Sequence, residues 1–89
     1  KKVGIIFSAL TDAAGRIKDH DIPAIREHVI KKIENAGGFS VEYYEIAGEI
    51  DLKPLHSKAD LEKGKRFYGC IAVKAGSIRL IDNVEVPVP

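Results

Sequence analysis

The sequence is short of most of the groups around which small-protein chemistry is usually built. It has one cysteine, Cys70, in 89 residues, and no methionine or tryptophan. A single cysteine excludes an intramolecular disulfide and any cysteine-based zinc cluster. Cys70 is therefore expected to pack as a small hydrophobe in a strand. An excess of one charge is also missing: 14 Lys and Arg stand against 13 Asp and Glu, a net charge of +1. Without the positive field that collects phosphates, a nucleic-acid partner is disfavoured. No apolar run approaches the roughly 18 residues that span a bilayer, and no charged-then-apolar leader opens the chain. The expectation is a cytoplasmic location with no membrane partner. Because the chain opens at Lys1 and holds no Met, it is expected to be a fragment or a trimmed product.

What is present belongs to an ordinary globular domain. Hydrophobic residues make up 45% and charged residues 30%, a balance that folds rather than staying disordered. Residues 1–89 form one domain, and a chain of this size buries only roughly 60–65% of its unfolded surface. Stability is expected to be modest.

Val3, Ile6, Leu10, Ala13 and Ile17 recur at steps of three and four, the period of an amphipathic helix. A short strand at Val3–Phe7 is the competing reading. Asp21 before Ile22-Pro23 is a helix start, since its carboxylate can accept from the free N–H groups of the first turn and proline suits that turn. Ile22, Ile25, Val29, Ile33 and Ala36 form one stripe of this second helix, and Gly37-Gly38 supply the left-handed residue that ends it. Phe39–Ile46, rich in β-branched and aromatic residues, reads as a strand with Glu42 and Glu45 on opposite faces. Residues 50–66 carry Pro54 and Gly64 and hold no sustained period; Ser57 can cap at most one helical turn there.

Phe67–Ala75 is apolar on both faces apart from Lys74, so a central strand covered on both sides is expected. Ile78–Val86 pairs with it through Gly76-Ser77. A strict two-residue loop sets Lys74 opposite Arg79, a like-charge contact, whereas a longer loop pairs Val73 with Ile78. The sequence leaves this register open. The order helix, helix, strand, loop, strand, strand gives an α+β fold: a small antiparallel three-stranded sheet with two main helices packed on one face.

Chemistry-bearing constellations are sparse. His20, His28 and His56 include no pair at the i,i+4 spacing of a helical metal site. No serine sits in a Gly-x-Ser-x-Gly turn, and neither glycine-rich phosphate loop occurs. Lys58, Lys63, Lys65 and Arg66 gather before the central strand, where a basic loop can reach a phosphate or carboxylate; a solvated mixed-charge linker is the plainer reading. Arg79 and Asp82, three apart, point to opposite faces of an ideal strand. Asp82 and Asn83 read as a structural polar clamp to a neighbouring loop.

The run Ala72-Val73-Lys74-Ala75-Gly76-Ser77-Ile78-Arg79-Leu80-Ile81-Asp82-Asn83 resembles the C-terminal end of the pantothenate synthetase (pantoate–β-alanine ligase) family. There an apolar strand, a glycine turn and Arg-Leu-Ile-Asp-Asn occur together. The resemblance extends in order over essentially the whole chain, with Arg79–Asn83 its most specific part. It implies an enzyme that joins pantoate to β-alanine using ATP, through an enzyme-bound pantoyl adenylate. It also implies a Rossmann-like N-terminal catalytic domain that precedes Lys1, holds most of the ATP and Mg contacts, and carries His-x-Gly-His and Ser-x-Arg-Asn motifs that do not occur here. No catalytic residue is therefore carried over. What remains for this chain is the C-terminal lid domain, inactive and without cofactor on its own. Its partner would be its own N-terminal domain, and Lys65, Arg66 and Arg79 are the candidate contacts to substrate or ATP. A homodimer of the full-length protein is compatible with this reading. Two other classes compete: a stand-alone regulatory or small-ligand-binding α+β module, and an RNA-contacting module using Tyr43, Tyr44 and Tyr68, which the balanced charge weakens.

Overall fold

The computed structural model describes residues 4–50 and 53–88. In chain order these form α1 (Gly4–Arg16), α2 (Ile22–Glu34), β1 (Ser40–Gly48), a single 3-10 turn (Lys58–Asp60), β2 (Phe67–Ala75) and β3 (Ile78–Val86). The expected starting residue Val3 and the closing Pro89 lie outside the described residues.

The period-3.6 reading of the first segment holds, and the strand alternative does not. Ile6, Ala9, Leu10, Ala13 and Ala14 are buried along α1, with Ile17 continuing the stripe just beyond it. In α2, Ile22, Ile25, Val29 and Ile33 are buried. Asp21 caps it from extended backbone, its carboxylate accepting from the Ile22 N–H at 2.7 Å. The helix closes at Glu34, two residues before the expected Ala36, with Asn35 as C-cap and Gly37 and Gly38 both at positive φ. There a side chain would strain the backbone.

The sheet is antiparallel in the order β1-β2-β3. β2 is central, as its composition suggests. It is not covered on both sides: the helices lie on one face only, α2 against β1 and α1 against β2 and β3. Phe67, Gly69, Ile71 and Val73 of β2 face the helices and are buried. Tyr68, Cys70, Ala72 and Lys74 alternate onto the open face. Ala72 is fully buried there all the same, between its cross-strand partners Tyr43 and Ile81. A small side chain flanked by two larger ones loses its solvent without a second layer. That is why β2 reads as two-sided in sequence.

The core gathers the helix stripes with Tyr44, Ile46, Phe67, Ile71, Val73 and Val86. At the tip of the β2–β3 hairpin the loop is the strict two-residue one: Ala75 pairs with Ile78 and Lys74 with Arg79, and Gly76 takes φ 64° as a tight hairpin turn requires. A third residue meets the like-charge pair that this register creates. A bulge between Val41 and Tyr43 interrupts β1, and with it Glu42 reaches the open face, beside both cations. Glu45 lies opposite Cys70 on that same face. The opposite placement of the two glutamates expected from simple alternation is overturned by one extra residue in the strand.

Candidate functional site

The loop between β1 and β2 runs back along the outside of the domain. The Leu55 N–H donates to the Ile46 carbonyl at 2.8 Å, and Pro54 bridges to Ala47, which covers that edge of β1. Ser57 then caps the 3-10 turn, its Oγ accepting from the Ala59 N–H at 3.2 Å. The same hydroxyl donates to Asp21 Oδ2 at 3.2 Å, and the Lys58 N–H donates to Asp21 Oδ1 at 2.7 Å. One carboxylate thus serves two elements. The backbone N–H of Lys58, with that of Ile22 and the Ser57 hydroxyl, holds the Asp21 carboxyl below the ordinary carboxylate range.

Lys58 heads the basic cluster seen in the sequence, and its ammonium is turned inward. Nζ lies 3.4 Å from the carbonyls of Ile17 and Lys18, where it caps the negative end of α1. Lys65 Nζ is 2.6 Å from Glu62 Oε1. Arg66 precedes β2, and its carbonyl accepts from the Glu49 N–H at 2.9 Å. Lys65 and Arg66 line a groove of about 480 Å³ together with Glu49, Leu55, Asp60 and Glu62. Its charge is mixed, three carboxylates against two cations, so it can orient a ligand that carries both signs but has no strong anion field.

Arg79 is elsewhere. It lies opposite Lys74 at the far end of β2, roughly 26 Å along the strand from Arg66 at ~3.3 Å per residue. Its Nε donates to Glu42 Oε1 at 2.8 Å. The three candidate contacts are therefore not brought together: Lys65 and Arg66 share a groove, and Arg79 belongs to the hairpin. Asp82 takes a helix-side register position on β3, between Leu80 and Val84, and its Oδ1 accepts from the Asn83 N–H at 2.8 Å. Asn83 alternates onto the open face opposite Cys70.

Sequence reading missed two polar clusters. Asp12 Oδ2 accepts from Arg16 Nε and lies against His28 Nε2, both at 2.9 Å, tying α1 to α2. The Arg16 guanidinium, with the His28 bond and the charge of Lys32, keeps the Asp12 carboxyl low despite some desolvation. The Asp12–Arg16 spacing of four is legible in sequence, while the approach of His28 needs the helix packing. The other cluster is Glu42 with Lys74 and Arg79. On the open face, burial and the nearby Glu45 raise the Cys70 thiol pKa, which disfavours the reactive thiolate. Tyr43 and Tyr68 are half-buried there beside Glu45 and Glu85, and Tyr44 is in the core. That leaves two aromatics on the face an RNA would use, beside three carboxylates, Glu42, Glu45 and Glu85, and two cations, Lys74 and Arg79. Among the described residues no cluster of His, Cys, Asp and Glu could hold a metal ion, and no helix is long and apolar enough to cross a membrane.

The pantoate-beta-alanine ligase family model matches residues 1–85. Pantothenate synthetase of Azobacteroides pseudotrichonymphae is 34% identical over 84 residues, covering 94% of this chain and 29% of that protein. Pantothenate synthetase of Bacteroides thetaiotaomicron is 34% identical over 80 residues, covering 90% and 26%. That of Acetivibrio thermocellus is 34% identical over 90 residues, covering 99% and 30%. The chain thus spans less than a third of the length of these relatives. It belongs to the pantoate-beta-alanine ligase family.

Proposed function

We infer that this chain is the C-terminal lid domain of an ATP-dependent ligase that condenses pantoate with β-alanine through a pantoyl adenylate, in the cytoplasm, and that it is inactive alone. One observation carries the reading: a family match over nearly the whole chain that covers under a third of each relative. An acyl adenylate is hydrolysed by water, and a mobile domain that closes over the site protects it. A small α+β layer with a polar groove at one end suits that task.

In this reading ATP and Mg are held mainly by the larger domain. Among the described residues no group of His, Cys, Asp and Glu is placed to hold a metal ion. Lys65 and Arg66 are the groups this domain offers to a bound substrate. Arg79, engaged by Glu42, serves the hairpin instead.

The test is a pair of assays with ATP, Mg, pantoate and β-alanine. The full-length gene product is expected to form pantothenate with release of AMP and pyrophosphate, and the 89-residue chain is expected to form none. Pantothenate production by the 89-residue chain, or its absence from an intact full-length product, overturns the reading.

A further inference from the structure

Two helices of equal length carry unequal exposed faces. α2 has Arg26, Glu27, Lys31, Lys32 and Glu34 around its buried stripe, as a solvated helix does. α1 has only Asp12 and Arg16, and both are drawn to the α2 side by the bonds to each other and to His28. Its outer face is left without charge. Gly4, Ser8, Thr11 and Gly15 run along it at steps of four, three and four, all exposed, and Phe7 borders them with 58% of its surface in solvent.

The glycines sharpen the point. A glycine inside a helix is destabilising relative to alanine, and among the described residues no close approach requires either one. A Cβ built on Gly4 or Gly15 meets no atom of the described residues within 4 Å. Small residues repeating along one helical face let a second backbone approach closely, and an exposed phenylalanine beside them supplies the apolar contact that such an approach buries. Ile78, at the tip of the hairpin, shares the helix-side register of Leu80, while the open sheet face also shows a large exposed hydrophobic, Ile81. There the apolar row is bounded by Lys74, Arg79, Glu45 and Glu85, the pattern of a wet surface.

We propose that the outer face of α1, centred on Ser8 and Thr11 and edged by Phe7, is where this domain docks onto the chain that precedes it. This rests on the proposed function, because the occupant is the larger part of the enzyme. Two observations identify it. The relatives are more than three times as long as this chain, and α1 is the first element, so any preceding chain is tethered at that helix. A tethered partner needs less contact area than a free one, because tethering replaces bimolecular association.

The experiment uses the full-length gene product. Ser8→Cys, Thr11→Cys and, as the solvated control on α2, Lys31→Cys are each labelled with N-ethylmaleimide, and the modification is located by peptide mass mapping. Labelling at positions 8 and 11 is expected to be at least about tenfold slower than at 31, as for a surface opened only transiently. Adding Gly15→Leu, whose side chain enters open space in the isolated domain, is expected to restore labelling at 11. Equal labelling at all three positions overturns the interface, as does protection that Gly15→Leu leaves unchanged. Ligase activity of the unsubstituted protein separates the two readings: an active enzyme with open labelling sinks the interface alone, and protected positions in a protein without ligase activity sink the functional reading alone. A gene with no coding sequence upstream of residue 1 overturns both.

Discussion

Glu42 accepts from Arg79 Nε at 2.8 Å with one carboxylate oxygen and lies 3.7 Å from Lys74 Nζ with the other. It stands between two cations that the hairpin register sets directly opposite each other. Without it, the two-residue loop would carry an uncompensated like-charge pair. Glu42→Gln is therefore expected to destabilise the domain by about 0.5–1 kcal/mol at low salt, the range of exposed ion pairs. The difference should shrink in 1 M salt, where screening acts over about 3 Å. Denaturant melts at both ionic strengths check this, and a deficit independent of salt would count against the charge argument.

Gly69 lies under the Tyr44 ring. A Cβ there would sit 2.7 Å from the Tyr44 hydroxyl oxygen and 3.3 Å from the nearest ring carbons. Gly69→Ala is expected to cost about 1–3 kcal/mol through overpacking. Tyr44→Phe removes the closest atom, so the double variant should recover much of that loss in a double-mutant cycle. Additive losses would show that the contact is not the cause.

The Tyr44 hydroxyl is buried without a hydrogen-bond partner among the described residues, and burial pushes its pKa up to about 12. A raised folded-state pKa favours the neutral phenol, so its contribution is intact below pH 10 and is lost as pH rises from 10 through 12. The shift of about two units corresponds to roughly 2–3 kcal/mol at most. Wild type should lose stability over that window more steeply than Tyr44→Phe, as followed by circular dichroism. Parallel curves would remove Tyr44 as the source.

Asp21 joins the start of α2 to the Ser57–Lys58 turn. Its lowered pKa means that its contribution is present above the unfolded value near 4 and is lost as pH falls through the folded value. Asp21→Ala should lower the melting temperature at neutral pH, converge with wild type in acid, and speed hydrogen exchange at the Lys58 amide. An unchanged exchange rate there would show that the turn is held by other contacts.

Asp82 is a carboxylate at a helix-side position of an edge strand, between Leu80 and Val84. An inward charge on an open edge discourages pairing with another chain. Asp82→Val is expected to leave the fold intact and to produce concentration-dependent self-association in sedimentation velocity. A monomeric Asp82→Val protein at high concentration would refute that role.

Much of the fold was legible because its signals are local. The α1 stripe, the Asp21-Ile22-Pro23 start, the Gly37-Gly38 stop and the apolar run of β2 each depend on neighbours within a few residues. The candidate site was less legible. Lys65 and Arg66 were found as a basic pair, but their groove is formed with Glu49 and Leu55 from the far side of a loop. Lys58 looked like part of the same cluster, and only the packing of the loop against α1 turns its ammonium onto the carbonyls of Ile17 and Lys18.

The sequence by itself determined the element order, the antiparallel sheet with two helices on one face, and, through Arg79–Asn83, the family. Tertiary structure decided the rest: the hairpin register, the open face of β2, and the partners of Asp12, Glu42 and Asp21. The long-range bonds of Asp12 to His28, Asp21 to Ser57 and Lys58, and Glu42 to Arg79 join residues 16 to 37 positions apart. Periodicity reports which side of an element is apolar, but it carries no information on which distant charge will arrive there.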